Sequence, residues 1–267
     1  MDAELDRRLE QSGYGRPGFA ARYDAFRPRP PEALLDLLPP LAGVERPGLV
    51  VDLGSGTGLS TRPWAARADE VVGVDANEAM VQQAETETEA PNVRYINVSS
   101  YGTGLPDGCA DLVTAAQSLQ WMRPERVFPE IERILRTGGV FCAYEYYALQ
   151  TPRWEPEEAF GAAIARMREL RVERGLDRER QTWPVSRERL EESNAFRFVR
   201  ELALHSIEEG DGERLVGFAL SQGSLSTLLE AGATEEEIGL DQLRTEARRM
   251  GGPMTWWIPY RVWVGLR

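Results

Sequence analysis

Val50-Val51-Asp52-Leu53-Gly54-Ser55-Gly56-Thr57-Gly58 is a short apolar run that breaks into three alternating glycines. It reads as a buried strand ending in a nucleotide loop, because glycine permits positive φ and lets a ligand approach the main chain closely. A second run, Glu70-Val71-Val72-Gly73-Val74-Asp75, ends in a carboxylate. A strand tip bearing an acid at that distance from the loop is suited to a ribose diol.

The glycine spacing separates two kinds of cofactor. A dinucleotide fingerprint extends Gly54-x-Gly56 by a third glycine, but that position is Leu59, which counts against a nicotinamide oxidoreductase. S-adenosylmethionine has no pyrophosphate. It needs a tight glycine turn beside a zwitterionic amino acid, a partner for two ribose hydroxyls, and an acid near the loop to offset cationic groups, here Asp52. Residues 50–58 and 70–75 resemble the first two motifs of class I S-adenosylmethionine-dependent methyltransferases.

Composition narrows the chemistry further. The 267 residues suit one domain with an elaboration. With 43 acidic against 31 basic residues, the net charge of -12 disfavours nucleic acid as a partner. Every one of those basic residues is arginine, which excludes a Schiff-base lysine, pyridoxal phosphate chemistry and a P-loop lysine. Cys109 and Cys142 lack metal-ligand spacing and there is a single histidine, so no metal is expected. Met1-Asp2-Ala3-Glu4 does not open a signal peptide and no apolar run reaches membrane-spanning length, so the expectation is a cytoplasmic protein without a membrane partner. Oligomeric state is left open.

Apolar runs at 49–53, 71–74, 94–98, 111–116 and 140–147 alternate with helical stretches, a repeating βα pattern. In the last of these helices Val127, Ile131, Ile134 and Leu135 share a face, and Thr137-Gly138-Gly139 stops it. The pattern predicts an α/β fold: a doubly wound, mostly parallel sheet with its ligand at the carboxyl ends of the strands. Beyond Tyr147, residues 159–174 form an amphipathic helix with Phe160, Ile164, Met167 and Leu170 at helical spacing. Residues 196–207 and 256–266 read as further strands, completing a seven-stranded sheet. Between them lie one helix over 213–230 and a second opened by a capping box from Thr234 to Glu237. The expected organisation is a single domain over 1–267: a cofactor-covering segment at 1–45, a βα core at 46–150, and helical substrate covers, or a lid, at 151–195 and 208–252. A fixed helical layer packed on the sheet is the alternative reading of those helices.

The segments Asp-Leu-Val-Thr-Ala-Ala-Gln-Ser-Leu-Gln-Trp at 111–121 and Arg-Ile-Leu-Arg-Thr-Gly-Gly-Val-Phe at 133–141 resemble the fourth and fifth motifs of the type 11 methyltransferases, especially the trans-aconitate methyltransferase branch. Arg22-Tyr23-Asp24-Ala25-Phe26-Arg27-Pro28 is similar to an N-terminal element that folds over the cofactor in that branch. The resemblance implies that Tyr23 and Arg27 hold the cofactor carboxylate, through the bidentate fork that arginine offers. It implies that Gly54, Ser55 and Gly56 receive the methionine portion, that Asp75 takes the ribose hydroxyls, that Ala76 and Met80 pack near the adenine, and that Ser100 and Tyr101 border its amino edge. Ala116 and Gln117 would stand near the sulfonium. The family usually has Ala-Glu at 100–101 and often His before Trp121, where this chain has Ser-Tyr and Gln120.

Gln120 cannot be a general base at neutral pH. Methyl transfer from a sulfonium is an in-line displacement with a good leaving group, so alignment and desolvation can carry the reaction. His205, the lone imidazole, is expected to be a structural residue of the sixth strand. Glu145 becomes a base only if burial raises its pKa, and Tyr146 is a further candidate. Trp121 and Tyr146, which follow strand ends, are expected to line an acceptor pocket. The reading is a methyl transfer to a small organic acceptor, through a carboxylate or phenol oxygen. The alternatives are N- or C-methylation of a natural product and a cofactor-binding protein with non-methylating chemistry.

Overall fold

A computed structural model describes residues 13–147, 149, 151, 153–176 and 182–267. Residues 1–12 of the expected covering segment, and 152 and 177–181 of the first expected helical cover, lie outside the described residues. In chain order the elements are α1 (Phe19–Phe26), α2 (Glu32–Leu41), β1 (Leu49–Leu53), β2 (Glu70–Asp75), α3 (Glu78–Thr86), β3 (Val93–Asn97), β4 (Ala110–Ala116), α4 (Pro124–Ile134) and β5 (Leu135–Tyr146). There follow α5 (Trp154–Glu173), α6 (Arg187–Glu192), β6 (Phe198–Gly210), α7 (Gly212–Leu220), α8 (Gly223–Glu230), α9 (Glu235–Ile238), α10 (Leu240–Arg249) and β7 (Met254–Leu266).

The seven strands form one sheet in the order β3-β2-β1-β4-β5-β7-β6. β1 pairs in parallel with β2 and with β4, so the order reverses at β1, the switch point where such sheets open a ligand crevice. β7 runs antiparallel to β5, from Val140 opposite Leu266 to Tyr146 opposite Tyr260. The expected α/β sheet is therefore present with seven strands. Its crossovers are less regular than the sequence suggests. β2 leads to α3 and β4 to α4, but β1 is followed by a single 3₁₀ turn at Arg62–Trp64, and no helix stands between β3 and β4 among the described residues. Ser60 and Thr61, which would open a helix after β1, instead turn their hydroxyls to Asp52, and Pro63 follows.

The chain divides into two compact units. The sheet unit takes in the described residues of 29–148, 181–206 and 259–267; the helical unit takes in the described residues up to 28 and those of 149–180 and 207–258. In the sheet unit, Val51, Leu53, Val72, Val74, Val113, Ala115, Phe141 and Ala143 present one apolar face to Val127, Phe128, Ile131 and Ile134 of α4. The rings of Phe141 and Phe196 stack at 5.4 Å within that core, and Phe128 meets both edge-on. In the helical unit α10 packs on α5 and α7, and α1 packs on α7.

Three local expectations are corrected. Leu135 opens β5 instead of closing α4, and Gly138-Gly139 does not stop the helix. The bridge Ala110–Leu135 is followed by Leu112–Val140, so residues 136–139 bulge out of the ladder. A β-carbon on Gly139 would lie 2.8 Å from the Leu135 side chain and 2.9 Å from the Arg136 carbonyl. The helix expected over 213–230 is two helices, α7 and α8, because the Ser221 hydroxyl donates to the Phe218 carbonyl (2.7 Å) and competes with the helical ladder. α5 starts at Trp154 and buries Pro156, Ala159, Ala163, Met167 and Leu170, leaving Phe160 and Ile164 half-buried. Small residues allow the neighbouring helices to approach there. The capping box at Thr234 and Glu237 is present, with bonds of 2.7 and 3.1 Å in the two directions.

Buried Glu130 of α4 pins the chain after β3 to that helix. It accepts from the Thr103 amide and hydroxyl (2.7 Å each) and from both Nε and Nη2 of Arg133 at 2.8 and 2.7 Å. The Arg133 fork holds its carboxyl down to about 2. A depressed carboxyl contributes stability that is present above its ordinary pKa and lost as pH falls towards the folded value. Glu130→Gln should therefore lower the unfolding free energy by about 2–3 kcal/mol at neutral pH. In urea titrations the gap to wild type should shrink by more than half by about pH 3; a gap independent of pH would show that the charge is not what stabilises this corner.

Candidate functional site

Asp52 lies one residue from the end of β1 and is fully buried. Its carboxylate accepts hydroxyl bonds from Ser60 (2.6 Å), Thr61 (2.7 Å) and Thr114 (2.7 Å). Burial pushes its pKa up and the three hydroxyls pull it back. The acid expected to face cationic groups of a ligand is thus held by three hydroxyls, and it fixes the path by which the chain returns from the loop. Sequence reasoning missed Ser60, Thr61 and Thr114, because a hydroxyl residue beyond a loop or within a strand carries no distinct signal.

The loop is shaped by main-chain bonds. The amides of Gly54 and Ser55 both donate to the Val74 carbonyl, at 2.7 and 3.0 Å. Gly54 has φ +70°, and a β-carbon there would stand 2.5 Å from that of Ser118. Gly56, at φ +54°, has only the Met80 methyl near its would-be β-carbon, at 3.4 Å. The need for glycine is thus packing and conformation at the first position, and conformation alone at the second.

Asp75 ends β2, half-buried. One carboxylate oxygen accepts the Gly56 amide and the other the Asn77 amide, each at 2.8 Å. Burial raises its pKa against these two donors. The structure therefore brings Asp75 and the glycine loop together through a direct bond that the sequence did not indicate. Asn77 in turn caps α3 by accepting from the Met80 amide (3.2 Å), which sets buried Met80 beside Gly56. Ala76, between Asp75 and Asn77 in the chain, is half-buried.

Ser100 is buried and Tyr101 half-buried. The Tyr101 hydroxyl accepts the Arg123 amide at 2.9 Å, and the Arg126 guanidinium lies 4.2 Å above its ring. That side chain braces the start of α4, so any contact it makes at an adenine edge falls to the main chain.

At the tips of β4 and β5 a second network forms. Ala116 pairs with Tyr144, and Gln117 follows in the left-handed region at φ +53°. The Gln117 amide donates to the Tyr144 carbonyl and its side-chain Nε2 to the Tyr146 carbonyl, both at 2.9 Å. Gln120 Nε2 donates to the Gln117 carbonyl (2.9 Å), and the Gln120 carbonyl accepts the Trp183 amide (2.9 Å). Because a main-chain carbonyl only accepts, these bonds fix which end of each glutamine amide faces the backbone. Trp121 and Tyr146 are half-buried at this rim, and Tyr146 meets the Tyr260 ring edge-on at 5.9 Å. Glu145 is half-buried opposite Arg261; burial raises its carboxyl while Arg261 lowers it. His205 is exposed on β6.

Tyr23 and Arg27 belong to the helical unit. Buried Arg27 donates from Nε to the Ser221 hydroxyl (2.8 Å) and from Nη2 to the Ser221 carbonyl (2.7 Å), and lies over the rings of Tyr23 and Phe218 at 4.7 and 4.8 Å. The guanidinium expected to clamp a ligand carboxylate is thus engaged as a strut at the break between α7 and α8.

Two loop hydroxyls, Ser55 Oγ and Thr57 Oγ1, are buried with no hydrogen-bond partner among the described residues. Buried hydroxyls are ordinarily paired. With the Asp75 carboxylate they make a set of acceptors and donors around the glycine turn that fits a ligand carrying ribose hydroxyls and a charged amino acid, such as S-adenosylmethionine. Among the described residues no group of three His, Cys, Asp or Glu side chains could hold a metal ion, and no helix is long and apolar enough to cross a membrane.

Residues 51–143 match the family model for a methyltransferase domain. The chain is 35% identical over 155 residues to a trans-aconitate 2-methyltransferase of Variovorax paradoxus, covering 56% of this chain and 55% of that one. It is 31% identical over 132 residues to a Saccharomyces cerevisiae protein named as a probable S-adenosylmethionine-dependent methyltransferase, covering 48% and 45%. The chain therefore spans about half the length of the curated relatives it matches. A solved chain from Anaeromyxobacter dehalogenans, described as a candidate type II methyltransferase, superposes with a TM-score of 0.63 at 26% identity, covering 90% of this chain and 98% of that one. The stretch that matches the methyltransferase-domain model runs from the strand before the glycine loop to the middle of β5 and holds Asp52, Asp75, Gln117 and Gln120.

Proposed function

We propose that this protein transfers the methyl group of S-adenosylmethionine to an oxygen of a small organic acceptor, a carboxylate or an acidic phenol. The observation that carries the reading is the bond from the Gly56 amide to Asp75, which ties the glycine turn to the acidic tip of β2 and leaves the unpaired Ser55 and Thr57 hydroxyls in the same loop. The names of the relatives support both the cofactor and a carboxylate acceptor. The formal charge of -12 supports a small molecule over nucleic acid.

Bound S-adenosylmethionine supplies an electrophilic methyl group on a sulfonium, with a neutral thioether as leaving group. The chain's part is to hold and to align. Asp75 accepts the ribose hydroxyls through the lone pairs that its two amide bonds leave open. The Gln117–Gln120 network fixes the β4 and β5 tips, so that an acceptor seated against Trp121 and Tyr146 meets a rigid wall. A carboxylate acceptor arrives ionised. Its oxygen gains the methyl carbon as the carbon–sulfur bond breaks, and no proton has to be removed, which suits a rim where Gln120 offers an amide and no base.

Asp75→Ala should weaken S-adenosylhomocysteine binding in titration calorimetry by about 1.5–3 kcal/mol, because charge-assisted bonds to the ribose are lost. Undiminished affinity with an intact fold would put the ribose elsewhere. With trans-aconitate as acceptor and methyl-labelled cofactor, mass spectrometry should find a labelled ester. In the same assay His205→Ala should keep most of its turnover, since that imidazole is exposed on β6. Trp121→Ala should lose acceptor binding while still binding cofactor. Loss of turnover in His205→Ala with cofactor affinity and melting temperature unchanged would make histidine the base and overturn the alignment mechanism.

A further inference from the structure

Tyr144 carries a hydroxyl that neither the glycine loop nor the glutamine network uses. The residue is 4% exposed, and its hydroxyl has no hydrogen-bond partner among the described residues. Its neighbour Tyr260, 6.2 Å away between ring centres, donates its own hydroxyl to the Arg29 carbonyl at 2.7 Å. A buried tyrosine in this cluster thus finds an acceptor in the protein where one is within reach. Burial drives the Tyr144 ionisation well above the ordinary tyrosine range, so the hydroxyl keeps its proton at neutral pH.

The sheet register says what it faces. Asp52 pairs with Thr114, Thr114 with Cys142, and Ala116 with Tyr144. Side chains alternate between faces, so Tyr144 shares a face with Thr114, whose hydroxyl reaches Asp52, and sits one pleat further towards the carboxyl edge. That is the row at which β1 gives way to Gly54. Two strand spacings of about 4.8 Å separate the Tyr144 and Gly54 backbones, with β4 between. Asp75 stands on the other side of β1, at the tip of β2. A ligand crossing the strand tips with its ribose on Asp75 therefore directs its far end over β4 towards β5, where the chain offers a neutral donor in a desolvated position.

We infer that the Tyr144 hydroxyl donates a hydrogen bond to the carboxylate at the amino-acid end of S-adenosylmethionine. The inference rests on the proposed reading of the glycine loop as the site of that cofactor. It gives the buried hydroxyl an acceptor that the described residues do not supply, and it provides a carboxylate ligand within the sheet unit itself.

The test compares wild type with Tyr144→Phe against two nucleosides. S-adenosylhomocysteine has the amino-acid end; 5′-methylthioadenosine has the adenine, ribose and sulfur without it. Tyr144→Phe should bind S-adenosylhomocysteine roughly tenfold more weakly or worse, and methylthioadenosine as wild type does. Its ligand-free melting temperature should equal or exceed that of wild type, because an unsatisfied buried donor has been removed. Equal affinity of both proteins for S-adenosylhomocysteine would overturn the inference, as would an equal loss for both nucleosides, which would report a shifted ring. A lower ligand-free melting temperature would show that the hydroxyl has a protein acceptor and would overturn it too. Failure of wild type to bind either nucleoside would instead defeat the cofactor reading on which the inference stands.

Discussion

The buried carboxylate of Asp52 is the constraint on which the site depends. A fully buried acid is tolerated only when its oxygens are satisfied, and here all three donors are hydroxyls drawn from two separate places, Thr114 on β4 and Ser60-Thr61 beyond the glycines. The strand pair and the returning chain are thereby held to one point. Between Asp52 and Ser60 the backbone has no freedom to drift, and the Gly54 and Ser55 amides close the turn onto the Val74 carbonyl. The Gly56 amide then reaches Asp75, so two carboxylates on neighbouring strands fix the same loop from its two sides.

The parallel half of the sheet was legible because each of its strands is an apolar run with a clear end, and because glycines alternating at 54, 56 and 58 directly after such a run mark a loop that a ligand approaches closely. The places where pattern misled are those where a side chain competes with the backbone or where packing chooses among faces. Ser221 splits a helix that its apolar spacing would continue, through a bond to Phe218 that looks like any other serine in the sequence. On α5 Phe160 and Ile164 are half-buried, while Ala159, Ala163, Met167 and Leu170 take the buried face. Leu135 satisfies helical and strand periodicities equally, and only its bridge to Ala110 decides.

The same division runs through the site. That an acid belongs at position 75 follows from its strand; that both of its oxygens would be held by main-chain amides does not, because amide donors leave no trace in residue types. Tyr101 and Arg27 each have a protein partner that sequence distance hides: the Arg123 amide for one and Ser221 for the other. Gln117 gives no sign of its left-handed backbone, since Asn and Gly, not Gln, are the residues one would look for there.

The bulge at 136–139 also separates two histories that a continuous strand would couple. Five steps along β5, from Leu135 to Val140, match two along β4, so the slack lies before the stretch that pairs with both β4 and β7. A residue gained or lost within the slack can be absorbed there without disturbing the register beyond Val140. The same change between Val140 and Tyr146 would exchange the faces of Tyr144, Glu145 and Tyr146, turning the phenols away from Asp52 and bringing the carboxylate round in their place. Length at the helix-proximal end of β5 is therefore uncoupled from the order of side chains at its far end.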